Sequence, residues 1–314
     1  MSKYIIPFLL LSAMIFSACN KEQHSTSGNN AVTPATNMQT ADHKDQVLTP
    51  VGWVAKTQVH HIETGEYLSG EGNRLRRYDR NGKVLEDYGA MEQNARQTPF
   101  YPDNSKGKGV LPLGSGWITY TYWTNNSASA ISYFNTNWTV PPAPAVNSGQ
   151  TIFLFNGIQN SDHILQPVLQ WGPSAAGGGA YWAIANWYVG NSAIYSNLIR
   201  VSPGTNLQGL MTLLSGGSST GSYKSAFVGY SSIDLNVYNI PTLYWAAESL
   251  EAYGVATCSN YPNTTSTRLS GIDLRVGGVQ APLSWSVANA VTDCGQHANV
   301  VSQGTPNGIV DIYY

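Results

Sequence analysis

The sequence predicts an all-β protein, and three observations carry that prediction. Runs of six to eleven residues rich in Val, Ile, Tyr, Trp and Thr recur through the last two thirds of the chain. Clusters of Gly, Pro, Ser and Asn separate them, and no stretch has an amphipathic period long enough for a helix. In order the runs are Trp117–Tyr122, Ile131–Val140, Thr151–Asn156, Ile164–Trp171, Tyr181–Val189, Ile194–Val201, Leu207–Leu214, Ser222–Tyr230, Ser232–Tyr238, Thr242–Ala252, Leu269–Val276 and Gly308–Tyr314. Many short strands joined by turns give a sandwich or a barrel. The 204 residues from 111 to 314 are enough for one such domain.

Charge marks its beginning. Residues 41–110 hold 20 of the 34 charged side chains, and residues 111–314 hold 11. The boundary falls near 105–112, where Asn104-Ser105-Lys106-Gly107-Lys108-Gly109 reads as a flexible break. Residues 49–110 then form a small charged hairpin module or prosegment. Gly65–Gly70 and Arg76–Tyr78 are its strands, Asp79-Arg80-Asn81-Gly82 its turn, and Lys83-Val84-Leu85 a returning strand. Alone it is too small for much of a core.

The first eighteen residues stand outside the fold. Lys3, an apolar run from Tyr4 to Phe16 and the small Ser17-Ala18 follow the order of a secretory signal. The run is too short to span a bilayer with margin. Phe16-Ser17-Ala18-Cys19 resembles the lipobox of bacterial lipoproteins, and Asn20-Lys21-Glu22 resembles a short outer-surface tag. The resemblance implies cleavage before Cys19, lipidation there, and membrane attachment at the cell envelope, in the outer membrane. Residues 19–48, poor in apolar side chains, read as a flexible tether.

Lipidation of Cys19 leaves Cys258 and Cys294. In an exported chain this even remainder predicts one disulfide. The alternative is a zinc site using both cysteines and His297. No cofactor or metal is otherwise called for, and a net charge of −2 without a basic stripe argues against nucleic acid. A monomer is expected.

Glutamate nearly vanishes from the main domain: only Glu248 and Glu251 remain, three apart in one strand-like run. Strand alternation sends them to opposite faces. A carboxylate among such apolar neighbours would resist ionisation and suit acid–base work. The plain alternative is two surface carboxylates on an exposed strand. Gly217-Ser218-Ser219-Thr220-Gly221 matches Gly-x-Ser-x-Gly, yet that motif needs a strand before it and a helix after it. Asp162-His163 leaves a serine triad open, and His60-His61 reads as a surface pair.

Several segments in order resemble the glutamic endopeptidases called eqolisins: Phe134–Pro141, Asn156-Gly157-Ile158, Ile164-Leu165-Gln166, Tyr181–Tyr188 and Ser249-Leu250-Glu251-Ala252. The likeness runs from about residue 117 to 275. It implies a two-sheet antiparallel β-sandwich, concanavalin- or jelly-roll-like, and an acid-acting endopeptidase made as a precursor. Gln166 and Glu251 would be catalytic, holding a water between them, with Phe155, Gln159, Trp182, Asn186 and Tyr188 lining a cleft for an extended polypeptide. The chain departs from the family at Phe155, where the family has Trp, and at Gln159 and Asn186, where it is acidic. The competing reading is a non-catalytic module binding carbohydrate or peptide; a third is a structural envelope protein. Seven acidic side chains in 204 residues also suggest tolerance of acid.

Overall fold

The computed structural model describes residues 43–91 and 115–314. The signal segment, Cys19, most of the tether and the break at 104–109 lie outside these residues. Among the described residues there is no α-helix, and nearly every predicted run is a strand. Within residues 111–314 three short strands escaped the sequence pattern: Val279–Gln280, Ser286–Asn289 and His297–Ser302. Each is short, and each carries an exposed valine, Val279, Val287 or Val301.

Two large sheets pack face to face as a sandwich. From one edge the first runs Ser286–Asn289, Gly116–Thr124, Trp245–Tyr253, Thr151–Gln159, Ile164–Ser174, Gly177–Val189, Ala193–Tyr195 and Val59–His61. The second runs His297–Ser302, Gly308–Tyr313, Ser266–Val276, Ile131–Thr139, Asn206–Gly216, Thr220–Phe227, Leu235–Pro241, Tyr67–Glu71, Arg74–Tyr78 and Val84–Ala90. Between them lies a core that includes Phe134, Leu154, Leu165, Ile184, Tyr188, Leu250 and Leu274.

The faces turned away from this core differ. Asn206–Gly216 alternates buried and partly exposed residues, as expected of an antiparallel strand with one wet face. Thr151–Gln159 and Trp245–Tyr253 are buried at every position. The outer face of the first sheet therefore carries its own apolar cluster, with Leu48, Trp117, Phe153, Phe155, Val168, Trp187, Trp245 and Tyr253 among its members.

The N-terminal charged piece joins both sheets. Val59–His61 pairs in parallel with Ala193–Tyr195, and Tyr67–Glu71 pairs in parallel with Leu235–Pro241. The turn at Asp79–Gly82 forms as expected: Asp79 Oδ1 accepts the Asn81 and Lys83 N–H groups at 2.8 and 2.9 Å, and Gly82 supplies φ +83°. The tether was expected to run to residue 48, yet Gln46–Thr49 and Gly52–Ala55 pair as a hairpin. Its Leu48 side chain is buried, and that burial is what orders the end of an otherwise polar stretch.

Cys258 and Cys294 form a disulfide, with Cα atoms 5.4 Å apart and 36 residues of separation. The pair is thereby not a zinc site. Reducing it, or replacing both cysteines with serine, is expected to cost about 3–4 kcal/mol in the chain-entropy treatment of a loop that long. Urea unfolding with and without reductant measures this, and coincident curves would contradict it.

Candidate functional site

Gln166 lies in a strand whose outer-face neighbours are Ile164 and Val168. It pairs with Trp187 on the next strand. On the other side stands Gly157, where an added Cβ would lie 3.6 Å from the Gln166 Cβ. Beyond Gly157 the row continues to Ala247. Gln166 thus looks across a glycine to an alanine.

Glu251 is on the same face but in another row. It pairs with Phe153 on one side and, after a bulge, with Trp117 on the other. Four residues along the strand separate it from Ala247, and two strand spacings lie across. At ~3.3 Å per residue and ~4.8 Å per strand, the Gln166 and Glu251 Cα atoms are about 16 Å apart. A single water cannot bridge that pair. The expected dyad shares a face without meeting.

Both glutamates are fully buried, so neither is a surface carboxylate, and they do point to opposite faces. Glu251 Oε1 accepts the Tyr253 hydroxyl proton. Burial pushes the Glu251 carboxyl up to about 8, against a smaller downward pull from Tyr253. Glu248 faces the other sheet, where Thr136 Oγ1 donates to its Oε1 at 2.5 Å. Burial raises Glu248 well above the ordinary carboxylate range, with Thr136 opposing.

The predicted lining residues divide. Phe155 and Gln159 sit on the outer face, opposite Val168 and Ile164. Trp182, Asn186 and Tyr188 do not. They point between the sheets, because Trp187 is the residue of that strand that shares the outer face with Gln166. Asn186 Nδ2 donates to the Ile233 carbonyl at 2.8 Å, and its Oδ1 accepts from Ser225 Oγ at 2.7 Å. The Tyr188 hydroxyl lies 2.9 Å from His163 Nδ1. The Asn186 bonds tie the two sheets together, and the Tyr188 contact lies within the first. Gly216 and Gly217 form a hairpin turn that no helix follows, which removes the Gly-x-Ser-x-Gly reading.

No family model matches the chain, and no curated protein does. Among solved structures it is similar to a scytalido-glutamic peptidase with a peptide-based transition state analog: 15% identity, 63% of this chain and 98% of that one, TM-score 0.44. A second such complex, with a transition state analog inhibitor, gives 14%, 64%, 98% and 0.43. SCP-B, an eqolisin in complex with the tripeptide Ala-Ile-His, gives 14%, 63%, 98% and 0.39. Likenesses this distant assign no residue a role.

The outer face itself is informative. Gln166 Nε2 and Oε1, Trp187 Nε1, Ser249 Oγ, Glu251 Oε2 and Trp117 Nε1 are buried and have no hydrogen-bond partner among the described residues. Each such group costs about 1–3 kcal/mol, and native proteins leave few of them. Six such atoms fall on this face, and the side between the sheets carries others, among them Glu248 Oε2, Asn156 Oδ1 and the indole nitrogens of Trp138, Trp171 and Trp182. On the outer face Trp117 packs on Tyr120, Phe155 and Trp245 at 4.8, 5.8 and 6.1 Å between ring centres. Ser249 shares the face of Glu251, as strand alternation predicts, whereas Trp117 and Trp187 escaped the sequence reading. Their place depends on strand register and a bulge, which no single strand announces.

Part of the cover over this face comes from the chain itself. Leu48 and Val51 of the 46–55 hairpin pack on its apolar cluster. The Leu48 carbonyl accepts the Ala175 N–H at 2.8 Å. A Cβ at Gly52 would lie 3.5 Å from the Tyr253 hydroxyl.

Proposed function

We propose that the chain binds an extended polypeptide on the outer face of its first sheet and does not hydrolyse it through Gln166 and Glu251. The observation that carries this is the set of six unpartnered polar atoms among aromatic side chains on one buried face. A peptide supplies both donors and acceptors at strand spacing, and its alternate side chains suit aromatic surfaces. Hydrolysis needs the acid–base group within reach of the oxyanion donor, and Ala247 occupies the place in the Gln166 row where a carboxylate would do so.

Glu251 favours a second reading. A carboxyl held neutral to about pH 8 beside a tyrosine is a competent general acid. Incubating a denatured protein substrate across pH 2–7 separates the two, alongside equilibrium binding of the same substrate. Expected are no cleavage at any pH, binding by the wild type, and binding at least ~10-fold weaker in Gln166→Ala, the scale of one lost buried hydrogen bond. Acid-dependent cleavage lost in both Gln166→Ala and Glu251→Gln, with both still folded, would restore the peptidase. A glycan screen that gives the stronger signal would turn the ligand class to carbohydrate.

The same reading puts the domain outside the cytoplasm, on a lipid at Cys19. The signal pattern and the disulfide, a bond at home in oxidising compartments, support it.

A further inference from the structure

The chain leaves the first sheet and enters the second through Asn125-Asn126-Ser127-Ala128-Ser129-Ala130. Small polar residues end the Gly116–Thr124 strand, and the Asn125 side chain then shapes the loop. Its Oδ1 accepts the Ser127 N–H and hydroxyl at 3.0 and 2.7 Å, and its Nδ2 donates to the Ser129 carbonyl at 2.6 Å. Beside this loop Val276 and Val279 pair across a two-residue turn, Gly277-Gly278, with φ +57° and +85° as such a turn requires. The Gly277 N–H donates to the Ala130 carbonyl at 3.1 Å and the Gly278 N–H to Ser132 Oγ at 2.9 Å. Loop and turn are thus fastened to each other.

Between them lies an open cavity of about 540 Å³, a size usual for small-molecule sites. Its walls are of two kinds. Trp123, Val276, Val279 and Pro282 give apolar surface; Trp123 is half-buried and Val279 is 68% exposed. One exposed valine is ordinary. Here it stands with an indole, a second valine and a proline around one hollow. Asn126, Ser127 and Gln280 give amides and a hydroxyl, each of which donates and accepts. Gln280 is steadied, since its Oε1 accepts Thr305 Oγ1 at 2.6 Å and its side chain bonds Asp273. A primary amide has two N–H donors, so one is left to offer. Among the described residues no charged side chain lines the cavity, and Asp273 is itself paired with Arg275 at 2.6 Å.

These walls select a ligand class. A neutral lining gives a charged ligand no partner to offset its desolvation. Groups that both donate and accept match hydroxyls, which do the same. The apolar surface beside them suits a ligand that also has an apolar face. A pyranose ring carries C–H groups on its faces and hydroxyls around its edge, and an indole beside polar groups accommodates the first while they bond the second. We propose that this cavity is a carbohydrate site that takes one sugar unit of a neutral glycan. Ring C–H groups pack on Trp123 and Val279, and ring hydroxyls bond Asn126, Ser127 and Gln280. The site is independent of the peptide binding proposed for the outer face of the first sheet.

The test is titration calorimetry on the full-length protein with four neutral hexasaccharides, of β-1,4-linked glucose, α-1,4-linked glucose, β-1,4-linked xylose and β-1,4-linked N-acetylglucosamine. At least one is expected to bind with a dissociation constant below about 1 mM. Trp123→Ala should weaken that binding at least ~10-fold, and Trp123→Phe, which keeps a ring, by less than about threefold. Trp123 also packs on the core, so two exposed positions serve as a second reading. Asn126→Ala and Val279→Ser should each weaken binding roughly three- to tenfold with an unchanged melting temperature, as surface substitutions do. Gln166→Ala should bind the sugar as wild type does. No binding of any of the four, or binding that Asn126→Ala and Val279→Ser both leave unchanged, would overturn the assignment. Binding lost in Gln166→Ala instead would move the sugar to the first sheet and overturn it as well. A hexamer of galacturonic acid that binds more tightly than every neutral sugar would overturn the neutral class. Peptide binding by Asn126→Ala should match wild type, which separates failure here from failure of the peptide role.

Discussion

Replacing Glu251 with glutamine is expected to stabilise the protein at pH 8 and to leave it unchanged near pH 4. In the folded chain burial holds this carboxyl neutral up to about pH 8. In the unfolded chain it ionises at its ordinary value of about 4.5. Below that value both states are protonated and the residue contributes no pH dependence. As pH rises from about 4.5 to about 8, only the unfolded state releases its proton, and folding loses stability steadily. At ~1.4 kcal/mol per tenfold change, the loss is on the order of 4–5 kcal/mol by pH 8, or roughly 10 °C in melting temperature for a domain of this size. Glutamine has the same shape and cannot ionise, so the loss disappears.

Glu248→Gln should move in the same direction. Its flanking residues in the sheet are Thr121 and Asn156, and Thr136 faces it from the other sheet, so no cation offsets its ionisation. Thermal melts from pH 4 to 9 on wild type and the two variants make the comparison. A difference that stays flat across this range would show that neither carboxyl is held neutral. The direction agrees with the acid tolerance suggested by the scarcity of charge, for a sharper reason: two acids are stored in their neutral form inside the fold.

The opposite facing of Glu248 and Glu251 was legible, because alternation within one strand needs no knowledge of its neighbours. So was the turn at Asp79–Gly82, whose residue types act locally. The separation of Gln166 from Glu251 was not. It depends on the register of Ile164–Ser174 and Trp245–Tyr253 against Thr151–Gln159, set by packing rather than by either segment. Trp182, Asn186 and Tyr188 share one face of their strand, but the sequence does not say which face looks inward. With both faces of the first sheet buried, aromatic content cannot distinguish core from site. The hairpin at 46–55 escaped for a related reason: it follows a polar stretch, and the face it covers is what orders it.

A single methyl group is expected to have a large effect at Gly209. This residue lies in the second sheet where the two sheets come close. A Cβ there would stand 2.5 Å from Asn156 Oδ1, 2.7 Å from Trp138 Cη2 and 2.9 Å from Pro167 Cγ. Two of the three are held, Asn156 by donating to the Gly209 carbonyl at 3.2 Å and Pro167 by its own ring, and the Trp138 ring is buried. Gly209→Ala must push the sheets apart or turn Asn156 away, and a cost of about 3–4 kcal/mol follows from overpacking together with a weakened buried hydrogen bond. Gly157 is the matched contrast. Its added Cβ meets Ile164 and Gln166 at 3.5 and 3.6 Å, ordinary contact distances, so Gly157→Ala should fold with a loss under about 1 kcal/mol. That methyl, however, stands on the outer face beside the Gln166 amide. Urea unfolding should rank Gly209→Ala far below Gly157→Ala, while peptide binding by the folded fraction should rank them in reverse. Equal losses of stability would mean that the sheets are not in close contact at Gly209. Unaltered binding by Gly157→Ala would mean that the ligand does not lie along the Gln166 row.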